Sequence, residues 1–159
     1  MDVRIENTPT RHLVGISLEM SLMENKTQAL WQSFMPRRHE VQGRITDDYI
    51  SMQVYDKNGD AAFTPTTVFR KWAVVEVDEG GEVPEGMQTF TLETGLYAVF
   101  DYVGPASGAP RVFGYIFQDW LPNSAYAMDD RPQFEILPEG YNPIDPQARE
   151  EVWIPIRAK

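Results

Sequence analysis

A single carboxylate in an otherwise apolar strand is the strongest chemical lead in this sequence. Residues 132–137 read PQFEIL, and their alternation puts Phe134 and Ile136 on one side of a strand and Gln133 and Glu135 on the other. If the Glu135 carboxyl is buried without a fixed cationic partner, desolvation should raise its pKa, and an arriving cation would restore the ionised form. Glu135 is therefore a candidate functional acid, and the plain alternative is a solvated strand glutamate.

A short amphipathic helix that carries several rings precedes this strand. Its apolar residues recur at helical spacing on one face: Val112, Phe113, Ile116, Phe117 and Trp120. Pro110 suits the first turn, and Pro122 ends the helix because proline lacks an N–H and restricts the residue before it. The pattern therefore predicts that the end of this helix, with Trp120 and Tyr126, lies close to Glu135.

The other elements fall into two similar halves. Module one, about residues 1–80, has strands at 3–6 and 12–20, a helix at 24–35 with Asn25 as N-cap, and strands at 49–56 and 68–78. A polar linker at residues 79–86 separates it from module two, about residues 87–159. Module two has strands at 88–92 and 95–103, the helix after Pro110, and strands at 132–137 and 151–156.

Each half therefore follows the order strand, strand, helix, strand, strand, a repeat of pattern rather than of letters. We predict an α+β fold in which residues 1–159 form one domain of two pseudo-symmetric strand-helix-strand-strand modules. The two modules would build a curved sheet with a central ligand cleft, because small ligands usually bind in concave surfaces between half-domains.

Composition excludes several kinds of site and partner. A formal charge of −10 argues against binding a phosphate backbone, which needs clustered Lys and Arg. The chain has no cysteine, and His12 and His39 have no second ligand at metal-binding spacing, so no metal and no cofactor are expected. No apolar run approaches the roughly 20 residues of a membrane span, and no secretory signal is present. A cytoplasmic protein that does not contact membranes is the expectation.

One loop imitates a calcium site without completing it. Asp56, Asn58 and Asp60 match the first three ligand positions of a calcium-binding loop. However, Gly59 comes too early, and Thr67 stands where the bidentate glutamate should be. We interpret the segment as a hairpin loop.

Six short motifs are distributed along the chain: Ala29-Leu30-Trp31 with Phe34, VPEGM at 83–87, YAVF at 97–100, WLPNS at 120–124, Phe134-Glu135 and WIPI at 153–156. Together they resemble a known family, the GyrI-like effector-binding domains attached to AraC- and MerR-type regulators. The match covers nearly the whole chain and is more specific in its second half. The branch that it resembles most is the stand-alone one that includes integron-cassette effector-binding proteins.

This resemblance implies binding of bulky lipophilic cations between two modules, by a buried glutamate and aromatic walls. The glutamate of the Phe-Glu pair corresponds to Glu135. Because the chain has no residues left for a helix-turn-helix domain, no direct contact with nucleic acid is expected. A regulator or another protein is the expected macromolecular partner, and the chain would be a monomer or a weak dimer.

Aromatic walls would supply apolar contact area and cation–π attraction of about 0.5–2 kcal/mol per ring. Glu76 shares a strand face with one candidate ring and is a candidate second acid. Only one of Tyr97 and Phe100 can line the cleft, and the pattern leaves open which. The wall candidates are Trp72, Tyr97, Trp120 and Tyr126, with Met52 and Tyr55 from module one. The rings assigned to core packing are Trp31, Phe113, Phe117 and Trp153.

Two other functions stay open at this point. In the first, the pocket glutamate activates a water in a small-molecule hydrolase, with a tyrosine as hydrogen-bond donor; this needs a second polar group beside Glu135. In the second, the acidic surface serves a protein-interaction module of the gyrase-inhibitor type. Plain ligand binding, including multidrug recognition in transcription regulation, requires only the acid and the rings.

Overall fold

The fold is built on antiparallel strands, which the computed structural model describes for residues 1–55 and 64–159. The described strands number nine, and all their pairings are antiparallel. They are β1 (Val3–Thr8), β2 (Arg11–Met20), β3 (Tyr49–Tyr55), β4 (Phe69–Val77), β5 (Gln88–Leu92), β6 (Gly95–Val103), β7 (Tyr126–Met128), β8 (Gln133–Leu137) and β9 (Arg149–Ala158). The open curved sheet with helices on one face confirms the predicted α+β class.

The strand order is nearly palindromic. Across the sheet it runs β1-β6-β9-β8-β3-β4-β2-β5, with β7 attached to β9. If each strand of the first half is replaced by its counterpart in the second, the same order returns in reverse. The outer strands are exchanged, because β1 pairs with β6 of the second half and β5 pairs with β2 of the first. The two halves meet at β3 and β8.

The two described α-helices are α1 (Thr27–Phe34) and α2 (Ala109–Tyr115). Helix α1 begins three residues later than predicted, and Asn25 is not its N-cap. The Asn25 side-chain oxygen instead accepts the N–H of Thr27, the first helical residue, at 2.9 Å in a turn that leads into the helix. Helix α2 begins beside Pro110 as expected and continues into a π-helical turn at Ile116–Trp120. The Leu121 N–H donates to the Ile116 carbonyl at 2.8 Å, which closes this wider turn before Pro122.

Both helices lie on the same face of the sheet, which we call the helix face. Leu30 and Phe34 of α1 pack on β2 and β4, where Ala73 and Val75 are buried. Val112 and Ile116 of α2 pack on residues of β6 and β9. The central strands β3 and β8 therefore lie between the regions that the two helices cover.

No helix of the described residues packs on the opposite face of the curved sheet, which we call the helix-free face and which holds a separate aromatic cluster. Trp72, Tyr97, Phe134 and Trp153 are buried there, and Phe134 stacks on Trp153 with ring centroids 5.1 Å apart. Arg11 lies over these rings, with its guanidinium 5.3 Å from the Trp153 centroid. Because these large side chains pack against one another, the cluster forms a core of its own.

The predicted strands match the observed ones to within about two residues at most ends. The structure adds β7, which no alternation announced, because it has only three residues and pairs with one neighbour. The segment at 56–60 that imitates a calcium loop lies outside the described residues. Within the described parts of the chain, no helix is long and apolar enough to cross a lipid bilayer.

Candidate functional site

Glu135 lies on the helix face at the seam between the two halves. On one side it pairs with Ser51 of β3, and on the other with Val152 of β9. Its side chain points away from the packed Phe134, as the alternation of β8 requires. Only 9% of the residue is exposed, so an acid sits within the sheet where an apolar residue is usual.

The environment of Glu135 favours the neutral carboxyl. Burial is the main cause that raises its pKa from an ordinary 4.5 to about 7, and the neighbouring Glu150 acts in the same direction. The Lys71 ammonium and a hydrogen bond from Gln53 act in the opposite direction and favour the ionised form. The acid therefore changes its charge near neutral pH.

Four buried polar residues surround the seam, and we call them the central strip: Ser51, Gln53, Gln133 and Glu135. Gln53 Nε2 donates to Glu135 Oε2 at 3.2 Å, whereas Gln53 Oε1 is buried and has no hydrogen-bond partner among the described residues. Gln133 Nε2 donates to the Tyr55 hydroxyl at 3.2 Å. The strip thus joins an acid to two amides that differ in how fully they are bonded.

A second acid, Glu150, lies on the same face of neighbouring β9, and the sequence reasoning missed it. The Tyr141 hydroxyl donates to Glu150 Oε2 at 3.2 Å, and burial raises the pKa of the Glu150 carboxyl. The sequence pattern predicts a last strand that starts at residue 151, whereas β9 starts at Arg149. The alternation of Glu150 with Val152 and Ile154 is the signal that would have placed it on this face.

Some of the predicted wall residues share the helix face with Glu135. Tyr55 is half-buried, and burial together with the Glu135 charge raises its pKa to about 12. Trp120 and Tyr126 stack on each other with centroids 6.4 Å apart, and Trp120 meets Phe100 edge-on at 5.1 Å. Phe100 pairs with Val152, so one strand separates it from Glu135.

Other predicted wall residues face the opposite way. Met52 and Trp72 are buried in the cluster of the helix-free face, and so is Tyr97, whose hydroxyl donates to the Pro132 carbonyl at 2.7 Å. Of the two alternatives, Phe100 therefore lies on the same face as Glu135 and Tyr97 does not. Glu76 also lies on the helix-free face, where Arg11 Nη1 donates to its Oε1 at 2.8 Å. Because Glu76 has a resident cation, it differs from Glu135 in charge balance as well as in position.

An acidic cavity of about 810 Å³ opens mainly on the helix-free side, because its lining includes Ile136, Asp101 and Glu151, which pair with one another across β8, β9 and β6 and point away from Glu135. Glu150, which lies on the helix face, also belongs to this lining, and its charge raises the pKa of Glu135. Five carboxyl groups line the cavity: Asp2, Asp48, Asp101, Glu150 and Glu151. Arg4 neutralises part of this charge, because it bonds Glu151 at 2.7 Å and Asp101 at 3.2 Å.

In this arrangement the buried acid can accept a positive charge, and the neighbouring rings can contact the apolar part of the same ligand. It also places a tyrosine and a second carboxyl close to the first, which general acid–base chemistry would need. Among residues 1–55 and 64–159, no three His, Cys, Asp or Glu side chains are grouped so that they could hold a metal ion.

Comparison with known proteins places this geometry in a family. A family model described as the GyrI-like small molecule binding domain matches residues 1–157. The transcriptional regulator BrlR of Pseudomonas aeruginosa is 31% identical over 157 residues, which are 98% of this chain and 56% of BrlR. The chain thus spans about half the length of this curated relative.

Solved structures repeat the fold at low sequence identity. The structure of SAV2435 bound to tetraphenylphosphonium has a TM-score of 0.70 and 17% identity, and the match covers 99% of this chain and 94% of that one. An integron cassette protein from the mobile metagenome of Vibrio cholerae has a TM-score of 0.68 and 14% identity, covering 98% and 95%. Both share the curved-sheet architecture described above.

Proposed function

The chain belongs to the GyrI-like small molecule binding domain family, and on this premise we propose that it binds bulky lipophilic cations at the central strip, with Glu135 as the counter-charge. The observation that carries the proposal is the buried Glu135, which forms no ion pair within the described residues and whose pKa is about 7. A cation that reaches this acid stabilises its ionised form and thereby gains a charge-assisted contact.

The rings around the strip support the lipophilic part of the proposal. Trp120 and Tyr126 present a stacked pair on the helix face, and Tyr55 lies on the other side of the seam next to Gln133. Burying apolar ligand surface against such rings is worth roughly 25 cal/mol per Å². A delocalised or shielded cation loses less hydration than a compact one when it enters such a site.

The acidic cavity and one structural relative support the choice of a positive ligand. The five carboxyl groups of the cavity, of which Asp101 and Glu151 face away from the strip, add to a formal charge of −10 that favours the approach of cations to the protein. The relative SAV2435 was solved with tetraphenylphosphonium, a bulky lipophilic cation. Within the cell, such binding would serve sequestration of the ligand or a signal to a partner protein.

The test is a calorimetric titration with tetraphenylphosphonium at pH 8. We expect Glu135→Gln to weaken binding by about tenfold or more, because a charge-assisted contact contributes on the order of 1.5–3 kcal/mol. Glu82→Gln is the matched control, since it removes the same charge from an exposed position and should leave affinity unchanged. Equal affinity of the Glu135→Gln variant and the wild type would overturn the proposal.

A hydrolase is the second candidate, favoured by one observation. The Tyr141–Glu150 pair supplies the second polar group beside Glu135 that catalysis needs and simple binding does not. In this case Glu135 would activate a water while the tyrosine hydroxyl bonds the substrate. Hydrolysis of a strained electrophile such as an aryl epoxide by the wild type, and its loss in Glu135→Gln, would favour the enzyme. Cation binding without hydrolysis would support the binding function and contradict the hydrolase.

A further inference from the structure

The side-chain amide of Gln53 is hydrogen-bonded through its NH₂ group but not through its carbonyl oxygen within the described residues. Its Nε2 donates to Glu135 Oε2, whereas its Oε1 is buried without a hydrogen-bond partner among the described residues. The residue is 6% exposed and lies on a central strand of the sheet. A buried acceptor of this kind costs free energy unless another molecule supplies a donor.

An ionised Glu135 fixes which way this amide faces. A carboxylate only accepts hydrogen bonds, so the NH₂ group of Gln53 must point at Glu135 and the carbonyl oxygen must point elsewhere. One planar group carries both atoms, so the free acceptor lies beside the carboxylate. A bound cation therefore meets a charge and, next to it, a neutral acceptor.

The neighbouring donors do not supply what Gln53 Oε1 lacks. The Gln133 amide donates to the Tyr55 hydroxyl, and the Tyr141 hydroxyl donates to Glu150. Lys71 is the cross-strand neighbour of Gln53 and acts on Glu135 through its charge, yet it does not bond the free oxygen. Within the described chain this acceptor is thus left for a ligand.

We propose that Gln53 makes the site selective for cations whose charged nitrogen carries an N–H, which Gln53 Oε1 accepts while Glu135 balances the charge. The inference rests on the proposed function and ranks protonated aromatic amines and related N–H cations above quaternary cations within its ligand class. Quaternary ammonium and phosphonium centres have no donor, so they leave the buried oxygen unsatisfied. The aromatic contacts treat both kinds of cation alike.

The experiment uses one aromatic skeleton whose charged nitrogen carries an increasing number of methyl groups. Biphenyl-4-ylmethylammonium, its N,N-dimethyl form and its N,N,N-trimethyl form are titrated calorimetrically into the wild type at pH 8. We expect affinity to change little between the first two and to fall about tenfold at the third, where the last N–H disappears. A smooth trend with no step at the third methyl group would overturn the inference without any variant.

Gln53→Met gives the matched test, because methionine has a similar length and no carbonyl. We expect the ratio of dimethyl to trimethyl affinities to fall about tenfold relative to wild type, whatever common loss both ligands suffer from the missing Nε2 donor. An unchanged ratio in this variant would contradict the inference. Retained binding of the trimethyl ligand shows that the variant is folded, and Gln53→Leu repeats the test if it is not.

The two proposals fail separately in this design. If none of the three cations binds the wild type, or if Glu135→Gln leaves all affinities unchanged, the proposed function fails. If all three bind and depend on Glu135 but show no step at the trimethyl form, only the role of Gln53 fails.

Discussion

At the scale of single residues, Glu135 is an acid that the fold destabilises in its charged form. Burial is the chief cause that raises the pKa of Glu135 in the folded protein to about 7, from an ordinary value of 4.5. The unfolded chain therefore releases this proton at lower pH than the folded one, so this residue costs no stability below pH 4.5. The cost grows as pH rises from 4.5 to about 7 and stays constant above that.

Glu135→Gln should therefore stabilise the ligand-free protein at pH 8 and leave its stability at pH 4 nearly unchanged. The gain is expected to approach about 3 kcal/mol, because each pKa unit corresponds to about 1.4 kcal/mol. Urea unfolding at the two pH values measures it. A variant that is less stable than wild type at pH 8 would show that the acid is held by contacts that favour its charge.

The charges around Glu135 should tune the pH dependence of cation binding. For the wild type we expect affinity to rise about tenfold from pH 6 to pH 8, because the cation binds the ionised acid. Glu150→Gln should move the midpoint to lower pH and Lys71→Met to higher pH, since Glu150 raises the pKa of Glu135 and Lys71 lowers it. Calorimetric titrations from pH 6 to pH 8 locate the midpoints. The other polar neighbours, Gln53, Tyr55 and Tyr141, stay uncharged in this range and do not shift them. Equal midpoints in both variants would contradict this electrostatic account.

At the scale of elements, the sequence predicts the alternation of side chains along each strand but not the register between neighbouring strands. The pattern PQFEIL correctly separated Glu135 from Phe134, and the structure places these two on opposite faces of β8. Whether Met52 shares a face with one or the other depends on the register of β3 against β8, which no single strand reveals. Met52 pairs with Phe134, so the wall candidates divided between two faces.

The close contact between β2 and β4 depends on a glycine. A Cβ added at Gly15 would collide with the Ala73 carbonyl oxygen and lie 2.8 Å from the Val74 Cα. Gly15→Ala should therefore destabilise the protein by about 1–3 kcal/mol, because backbone must move to make room. Gly114→Ala is the control: nothing lies within 4 Å of the added carbon, and alanine favours helix α2 by up to about 1 kcal/mol. Urea unfolding that ranks the two variants in the reverse order would contradict this prediction.

At the scale of the whole molecule, the exchange of outer strands binds the halves together. Three ladders cross between the halves, namely β1 with β6, β3 with β8 and β2 with β5. The repeat of pattern in the sequence predicted two similar halves, but it could not predict the exchange, because strand pairing between halves depends on long-range contacts. Neither half alone contains all the partners of its own strands.

Fragments 1–82 and 83–159 should therefore fold only together. Each fragment alone leaves one strand, β1 or β5, without a partner and exposes the central edge of β3 or β8, so we expect no cooperative thermal unfolding and no near-ultraviolet circular dichroism from its two tryptophans. An equimolar mixture should regain both signals. Cooperative unfolding of either fragment by itself would show that the half is an independent folding unit.

The register at the seam also gives the central strip an electrical direction. Ser51 and Glu135 form the middle of the five pairs that join β3 to β8, so they occupy corresponding positions in the two halves. One strand further out, Lys71 and Glu150 correspond in the same way on β4 and β9. One half thus contributes a hydroxyl and an ammonium where the other contributes two carboxyls. The backbone is nearly two-fold symmetric, yet its side chains form a dipole across the axis. An elongated ligand with its positive charge at one end would therefore bind in one preferred orientation.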